Sequence, residues 1–150
     1  MDPRISVFID RKFGQRVYRL HRWMYRVTGG LLGGTSPMGP MLLLTTKGRR
    51  SGELRTVPLL YMEDGPRFVV VGSNGGRAQP PLWLLNLRAD PDAEVQVGRK
   101  RHRVRAQILE GEAREPLWRR LGQYYNGWAH YQTLTDRAIP AVVLEPVGKA

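Results

Sequence analysis

The sequence predicts a mainly β domain with flanking helices, organised as an antiparallel sheet. Three observations carry that expectation. Short apolar runs at residues 41–45, 54–62, 67–72 and 141–144 are bounded by turn-forming residues, the spacing of strands joined by tight connections. Residues 101–109 alternate with a period of two, so that Arg101, Arg103 and Arg105 share one face while His102, Val104, Ala106 and Ile108 share the other. Helical periodicity is confined to a basic N-terminal stretch, a segment after Pro81 and residues 112–123.

At 150 residues the chain fits one domain with room for a real core. Its formal net charge of +11 points to an anionic partner, which charge alone leaves open among nucleic acid, an acidic membrane surface and a phosphorylated or carboxylated small molecule. The absence of cysteine excludes disulfides, thiolate metal sites and cysteine nucleophiles. His21, His102 and His130 stand far apart without ligand spacing, so no metal is expected. No apolar run approaches the roughly 20 residues that span a bilayer, and no signal-peptide core is present, so a cytoplasmic protein, soluble or peripheral on the inner face of the cell membrane, is expected.

In chain order, Phe13, Val17, Leu20, Met24 and Val27 recur at steps of four and three with arginines between them, an amphipathic helix within residues 1–28. It can lie on anionic lipid, with Tyr18, Trp23 and Tyr25 near the interface, or pack across the sheet with a solvated basic face. Gly29-Gly30 and Gly33-Gly34 end it, and residues 29–150 form the main domain.

The first two strands enclose Thr45-Thr46-Lys47-Gly48-Arg49-Arg50-Ser51-Gly52-Glu53-Leu54-Arg55, a hairpin connection carrying four cations and two glycines. It can hold an anion, through backbone N–H groups turned by the glycines and charge from Lys47, Arg49, Arg50 and Arg55, or it can be a solvated basic turn. The residue order is not that of a P-loop. Pro58 argues that the second strand is an edge or carries a bulge. The next strand completes what reads as a meander, and Ser73-Asn74-Gly75-Gly76 opens a loop leading to a helix begun at Pro81, with Leu82, Leu84 and Leu85 toward the core. A hairpin of residues 94–97 with 101–109 follows, joined at Gly98-Arg99-Lys100, and its arginine stripe reads as a solvated face because no aromatics interleave as stacking platforms. In the helix at 112–123, Pro116 falls in the first turn and Leu117, Trp118 and Leu121 supply the apolar face.

Tyr124-Tyr125-Asn126-Gly127-Trp128-Ala129-His130-Tyr131 is either a packed helical hairpin or the wall of a flat apolar pocket with phenols as proton donors. No nucleophilic triad or paired carboxylate can be drawn, which is consistent with chemistry carried by a cofactor.

Several of these segments resemble the deazaflavin-dependent nitroreductase family in order and spacing. They are the basic hairpin with Arg55 and Pro58-Leu59, Ser73-Asn74-Gly75-Gly76, Pro81-Leu82-Trp83-Leu84-Leu85-Asn86-Leu87 with Ala89-Asp90-Pro91, and Tyr131-Gln132 with Thr135-Asp136-Arg137-Ala138-Ile139-Pro140. The resemblance implies an FMN-binding-like split β-barrel and coenzyme F-420, an 8-hydroxy-5-deazaflavin with a phosphodiester and glutamate tail. It further implies that Lys47, Arg49, Arg50, Ser51 and Arg55 hold the tail and that Pro58, Leu59, Gly72 and Ser73 border the ring. Asn74, Gly75, Gly76, Pro81, Trp83 and Asn86 would shape the middle of the site. Tyr125, Tyr131 and Ser73 are the catalytic candidates, with Trp128 against the substrate where the family's best-studied type has tyrosine; Asn74 stands where lysine is frequent. The implied activity is hydride transfer to a flat acceptor, a quinone such as menaquinone, with nitroaromatics as further substrates. The rivals are an FMN-binding or non-catalytic barrel and, against the weight of the motifs, a basic nucleic-acid-binding module.

Overall fold

The computed structural model describes residues 35–36 and 39–148. The basic amphipathic helix expected within residues 1–28 lies outside them. Eight strands form the sheet: β1 (Thr35–Ser36), β2 (Gly39–Lys47), β3 (Leu54–Leu60), β4 (Met62–Asp64), β5 (Arg67–Val71), β6 (Asp92–Val97), β7 (Lys100–Leu109) and β8 (Ala141–Pro146). Helix α1 (Leu82–Ala89) enters between β5 and β6, and α2 (Glu115–Tyr124) and α3 (Gly127–Thr133) enter between β7 and β8. Single 3-10 turns at Asn74–Gly76 and Gly111–Arg114 precede α1 and α2.

Every pairing is antiparallel, and the spatial order is β1-β2-β6-β7-β8-β5-β4, with β3 on the other side of β2. The expected meander is therefore corrected. β2 and β3 do form the basic hairpin, with Leu43 opposite Pro58, but β5 pairs with the last strand, Val69 opposite Val143, and β2 pairs with β6. The strand expected over 54–62 is split at Tyr61, and its two halves serve opposite ends of the order. This one bend closes the sheet into a split barrel. Pro58 lies on β3, which pairs with β2 alone among the described residues, a place where a missing N–H is tolerated.

Two apolar clusters flank the sheet. Leu42, Leu44, Phe68, Val70, Val95, Val104, Val142 and Leu144 fill the barrel with Trp83, Leu84 and Leu87 of α1. Val69, Val71, Ala141 and Val143 point the other way and are covered by Leu121 of α2, Trp128 of α3 and Ile139. β5 and β8 are buried on both faces, which explains why they read as unbroken apolar runs rather than alternating ones.

Helix α1 starts one residue later than expected. Pro81 is the extended cap (ψ 150°) and Leu82 is the first helical residue. Leu82 is consequently 73% exposed, and the buried positions are Trp83, Leu84, Asn86 and Leu87, with Leu85 half-buried. The helix expected over 112–123 is a 3-10 turn followed by α2, with Pro116 in the first turn of α2, where its lost N–H costs nothing. On β7 the arginine stripe is exposed, and Arg105 and Arg101 pair across to Asp92 (3.3 Å) and Glu94 (3.8 Å) on β6, in keeping with a solvated face.

Candidate functional site: a cationic hairpin and a glycine turn joined by one helix

The β2–β3 connection is a tight loop. The Gly48 N–H donates to the Glu53 carbonyl (2.7 Å) and the Gly52 N–H to the Gly48 carbonyl (2.8 Å). Gly52 has φ +73°, which favours glycine, and a Cβ at Gly48 would stand 2.7 Å from Ser51 Oγ and 3.1 Å from the Glu53 carbonyl, so a side chain there would displace Ser51. Around this loop Lys47, Arg49, Arg50 and Arg55 are all exposed. Arg55 pairs with Glu53 (3.0 Å), whereas Lys47, Arg49 and Arg50 have no carboxylate partner among the described residues. Three solvated cations on a fixed loop, with Ser51 next in the chain, suit a multiply charged ligand.

The loop is held from beneath. Asn86 of α1, 7% exposed, accepts the Arg49 N–H at Oδ1 (3.1 Å) and donates from Nδ2 to Thr46 Oγ1 (3.0 Å). Both ends of its amide are thus engaged within the protein, making Asn86 the residue that positions the hairpin. Two residues earlier on α1, Leu84 packs under Gly72, where a Cβ would meet Leu84 Cδ2 at 3.0 Å and Pro140 Cγ at 3.2 Å. One short helix therefore sets the cationic hairpin and the segment after β5 relative to each other.

That segment turns sharply. Ser73 is in the right-handed region (φ −76°, ψ −36°), and Asn74, Gly75 and Gly76 follow with φ of 47°, 63° and 79°. A right-handed residue followed by a left-handed one is the backbone nest geometry that presents consecutive N–H groups to an anion or a polarised oxygen. Asn74 Nδ2 donates to the Gln79 carbonyl (2.9 Å), so its side chain braces the loop. Gly76 is pressed against α3: a Cβ there would stand 2.7 Å from the Tyr131 carbonyl.

The aromatic cluster divides in two. Trp128, 5% exposed, is packed edge-on against Tyr125 (5.2 Å between ring centres) and stacked with Tyr124 (6.4 Å) within the outer apolar cluster. Tyr125 and Tyr131 stay half-buried. Their phenols hydrogen-bond, and this contact, followed by burial, raises the Tyr125 pKa above its ordinary value, keeping the hydroxyl protonated through neutral pH. The Tyr125 ring lies directly over Gly127, where a Cβ would fall 2.2 Å from Cζ.

Not every expected site residue converges. Trp83, 7% exposed, is part of the barrel core rather than a site wall. Leu59 packs into the barrel interior while Pro58, its neighbour on the strand, faces the other way, so the two cannot present one face to a common ring. Pro81 is buried beneath the start of α1. Sequence reasoning also passed over three residues. Arg137 donates to the carbonyls of Gly72 (3.0 Å), Ser73 (3.0 Å) and Arg77 (3.2 Å). Gln132 binds the carbonyls of Thr135 and Arg137 and the Ile139 N–H, and Arg114 donates to Gln132 Oε1 and the Ile139 carbonyl. The signal for Gln132 and Arg137 in the sequence is only their co-occurrence in the closing motif, and Arg114 stands outside it.

Comparison with known proteins decides the family. The family model for F420H(2)-dependent quinone reductase matches residues 17–146. The chain belongs to this family. It is 39% identical over 146 residues to an F420H(2)-dependent quinone reductase of Mycobacterium tuberculosis, covering 93% of this chain and 97% of that protein. A solved F420-H2 dependent reductase is 41% identical with a TM-score of 0.64, over 71% of this chain and 94% of its own. A chain solved as a domain-swapped dimer is 33% identical with a TM-score of 0.68, over 93% and 98% respectively. The resemblance to deazaflavin-dependent nitroreductases, the split barrel, the oxidoreductase activity and coenzyme F-420 are thereby borne out. Family membership favours these over the FMN, carrier and nucleic-acid alternatives. No helix among the described residues is long and apolar enough to cross a membrane.

Proposed function

We propose that the chain binds the phosphodiester and glutamate tail of coenzyme F-420 on Lys47, Arg49, Arg50, Ser51 and Arg55, and reduces a menaquinone-like quinone beside the Ser73–Tyr131 side of the site. The observation that carries this reading is the set of three exposed cations without carboxylate partners among the described residues, on a loop that Asn86 ties to the same helix that packs under Gly72. A ligand with an anionic tail and a planar head fits that division. When bound, the reduced deazaflavin supplies hydride, leaving the protein to bind, orient and exclude water.

Hydride addition to a quinone leaves phenolate charge on its oxygen. We assign Tyr125 and Tyr131 as the donors that meet it, an assignment supported by the raised Tyr125 pKa, which the contact with Tyr131 and burial cause. Ser73 and the nest that follows it supply further donors at the turn. Trp83 and Asn86 act by packing and positioning, and Trp128 forms the hydrophobic floor under the tyrosines. Nitroaromatics, flat and electron-poor, are secondary acceptors.

The basic segment within residues 1–28 is proposed to bring the barrel, residues 29–150, to anionic lipid on the cytoplasmic face, where long-chain quinones reside. The decisive assay mixes protein, reduced deazaflavin and menadione and follows the return of oxidised-coenzyme absorbance. Turnover with menadione is expected, with greater efficiency toward a prenylated quinone in anionic vesicles. Binding without turnover of any quinone would leave the site a carrier.

A further inference from the structure

Among the described residues Arg137 is a cation in an environment unlike that of a surface arginine. Its guanidinium is half-buried, Nε makes no hydrogen bond, and no carboxylate lies within ion-pair distance among the described residues. Burial lowers its pKa below the ordinary guanidinium value. A partly desolvated charge that is compensated, among the described residues, by carbonyl dipoles is costly.

The contacts indicate its role. Nη1 donates to the Gly72 carbonyl and Nη2 to the Ser73 and Arg77 carbonyls, so the two peptide groups that carry the Ser73 and Asn74 N–H groups are both gripped at their oxygens. A cation on a peptide oxygen polarises the group and makes its N–H a stronger donor. The same two N–H groups begin the right-handed to left-handed nest. Behind Arg137 the support is rigid. Gln132 Nε2 donates to the Arg137 carbonyl (2.8 Å), Gln132 Oε1 accepts the Ile139 N–H (2.9 Å), and Arg114 donates to the Ile139 carbonyl (2.6 Å) while lying 4.0 Å over the Trp118 ring.

We infer that Arg137 is a positioning residue for the reaction: by gripping the carbonyls of Gly72 and Ser73 it fixes and polarises the turn whose N–H groups face the reacting ring or the acceptor oxygen. This rests on the proposed placement of the ring at Gly72 and Ser73. Arg137 itself touches neither coenzyme nor quinone, and it acts only through that turn.

The test compares wild type with Arg137→Gln and Arg137→Lys, reading two independent quantities. Amide hydrogen exchange on the protein alone reports the clamp. Exchange at the Gly76 and Arg77 amides, bonded to the Ser73 and Asn74 carbonyls, should speed up by about tenfold or more in Arg137→Gln, while amides of β5 and β8 keep their protection. Kinetics report positioning. The turnover number for menadione should fall roughly 10- to 100-fold, as small misplacements near a reacting centre do, with a smaller change in KM and in deazaflavin affinity, and Arg137→Lys should recover part of the loss. Unaltered exchange at the turn, or a released turn with full turnover, overturns the inference. Should Arg137→Gln fail to fold, the lysine variant, which keeps the charge but not the fork, carries both readouts. If wild type itself fails to oxidise the reduced deazaflavin, the proposed function falls and the positioning role with it, whereas the exchange arm still decides the clamp.

Discussion

The cationic hairpin and the glycine turn solve the same problem, presenting donors to an electron-rich ligand, by opposite means. The hairpin displays whole charges on long side chains in solvent and is fastened through a single buried amide, Asn86. The turn displays backbone N–H groups, with its charge, Arg137, placed behind it and directed at carbonyls. Solvated charges tolerate a ligand tail of variable length and conformation, whereas backbone donors clamped at both peptide groups suit a planar head that must sit within a fraction of an ångström. Affinity is thus expected to reside in the first region and rate in the second.

The sharpest way to break that division is at the hairpin. Each charge-assisted contact is worth about 1.5–3 kcal/mol when formed, less at an exposed site, so replacing Arg49, Arg50 and Arg55 together by alanine should weaken deazaflavin binding by roughly three decades. Fluorescence titration reads this directly, and a thermal melt should hardly move because all three side chains are exposed. An unchanged dissociation constant would remove the tail from this loop.

A smaller effect, on rate alone, is expected at the phenols. Tyr125→Phe or Tyr131→Phe should lower quinone turnover by roughly 10² if the hydroxyl stabilises developing charge, with coenzyme affinity within about threefold. Because the Tyr125 pKa is raised, its donor form persists from neutral pH to above the ordinary phenol value near 10, so wild-type turnover should show no loss from this group until beyond that pH. Full activity in both variants would make solvent the proton source.

The smallest effect joins the two regions. Asn86→Ala removes the link between α1 and the Arg49 N–H, loosening the hairpin without touching a charge, and should cost about tenfold in coenzyme affinity, the worth of a hydrogen bond or two. A drop in turnover number at saturating coenzyme, with affinity intact, would instead place Asn86 with the turn.

The hairpin was legible because charge and glycine announce themselves locally: Lys47, Arg49, Arg50 and Arg55 are cations whatever the fold. The strands were legible for the same reason, since local apolar runs located β2, β3, β5 and β8, and period-two alternation located β7, to within a few residues. Their partners were not. Pairing of β5 with β8 depends on closure over the whole chain, and no local pattern distinguishes it from a meander. The inward face of α1 differs from the expectation, because the core takes Trp83, Leu84, Asn86 and Leu87, and Leu82, in the first turn beside the Pro81 cap, is left to solvent. Trp83 was placed in the site by resemblance, where packing sends it to the core. Arg137 looked like one basic residue among 24, and only the carbonyls around it set it apart.

Tyr61 stands where the chain passes from one end of the sheet to the other. From Leu59 to Met62 the side chains alternate without interruption between the inner and outer clusters, although the hydrogen-bond partner changes from β2 to β5 across that one residue. The two ends of the sheet are therefore a single covalent ribbon, and their registers are locked in phase as the teeth of a zip are by its slider. Neither ladder can slip by a residue without reversing inside and outside in the other. The seam at which a barrel is most prone to come apart is the one place where this chain crosses it with a peptide bond.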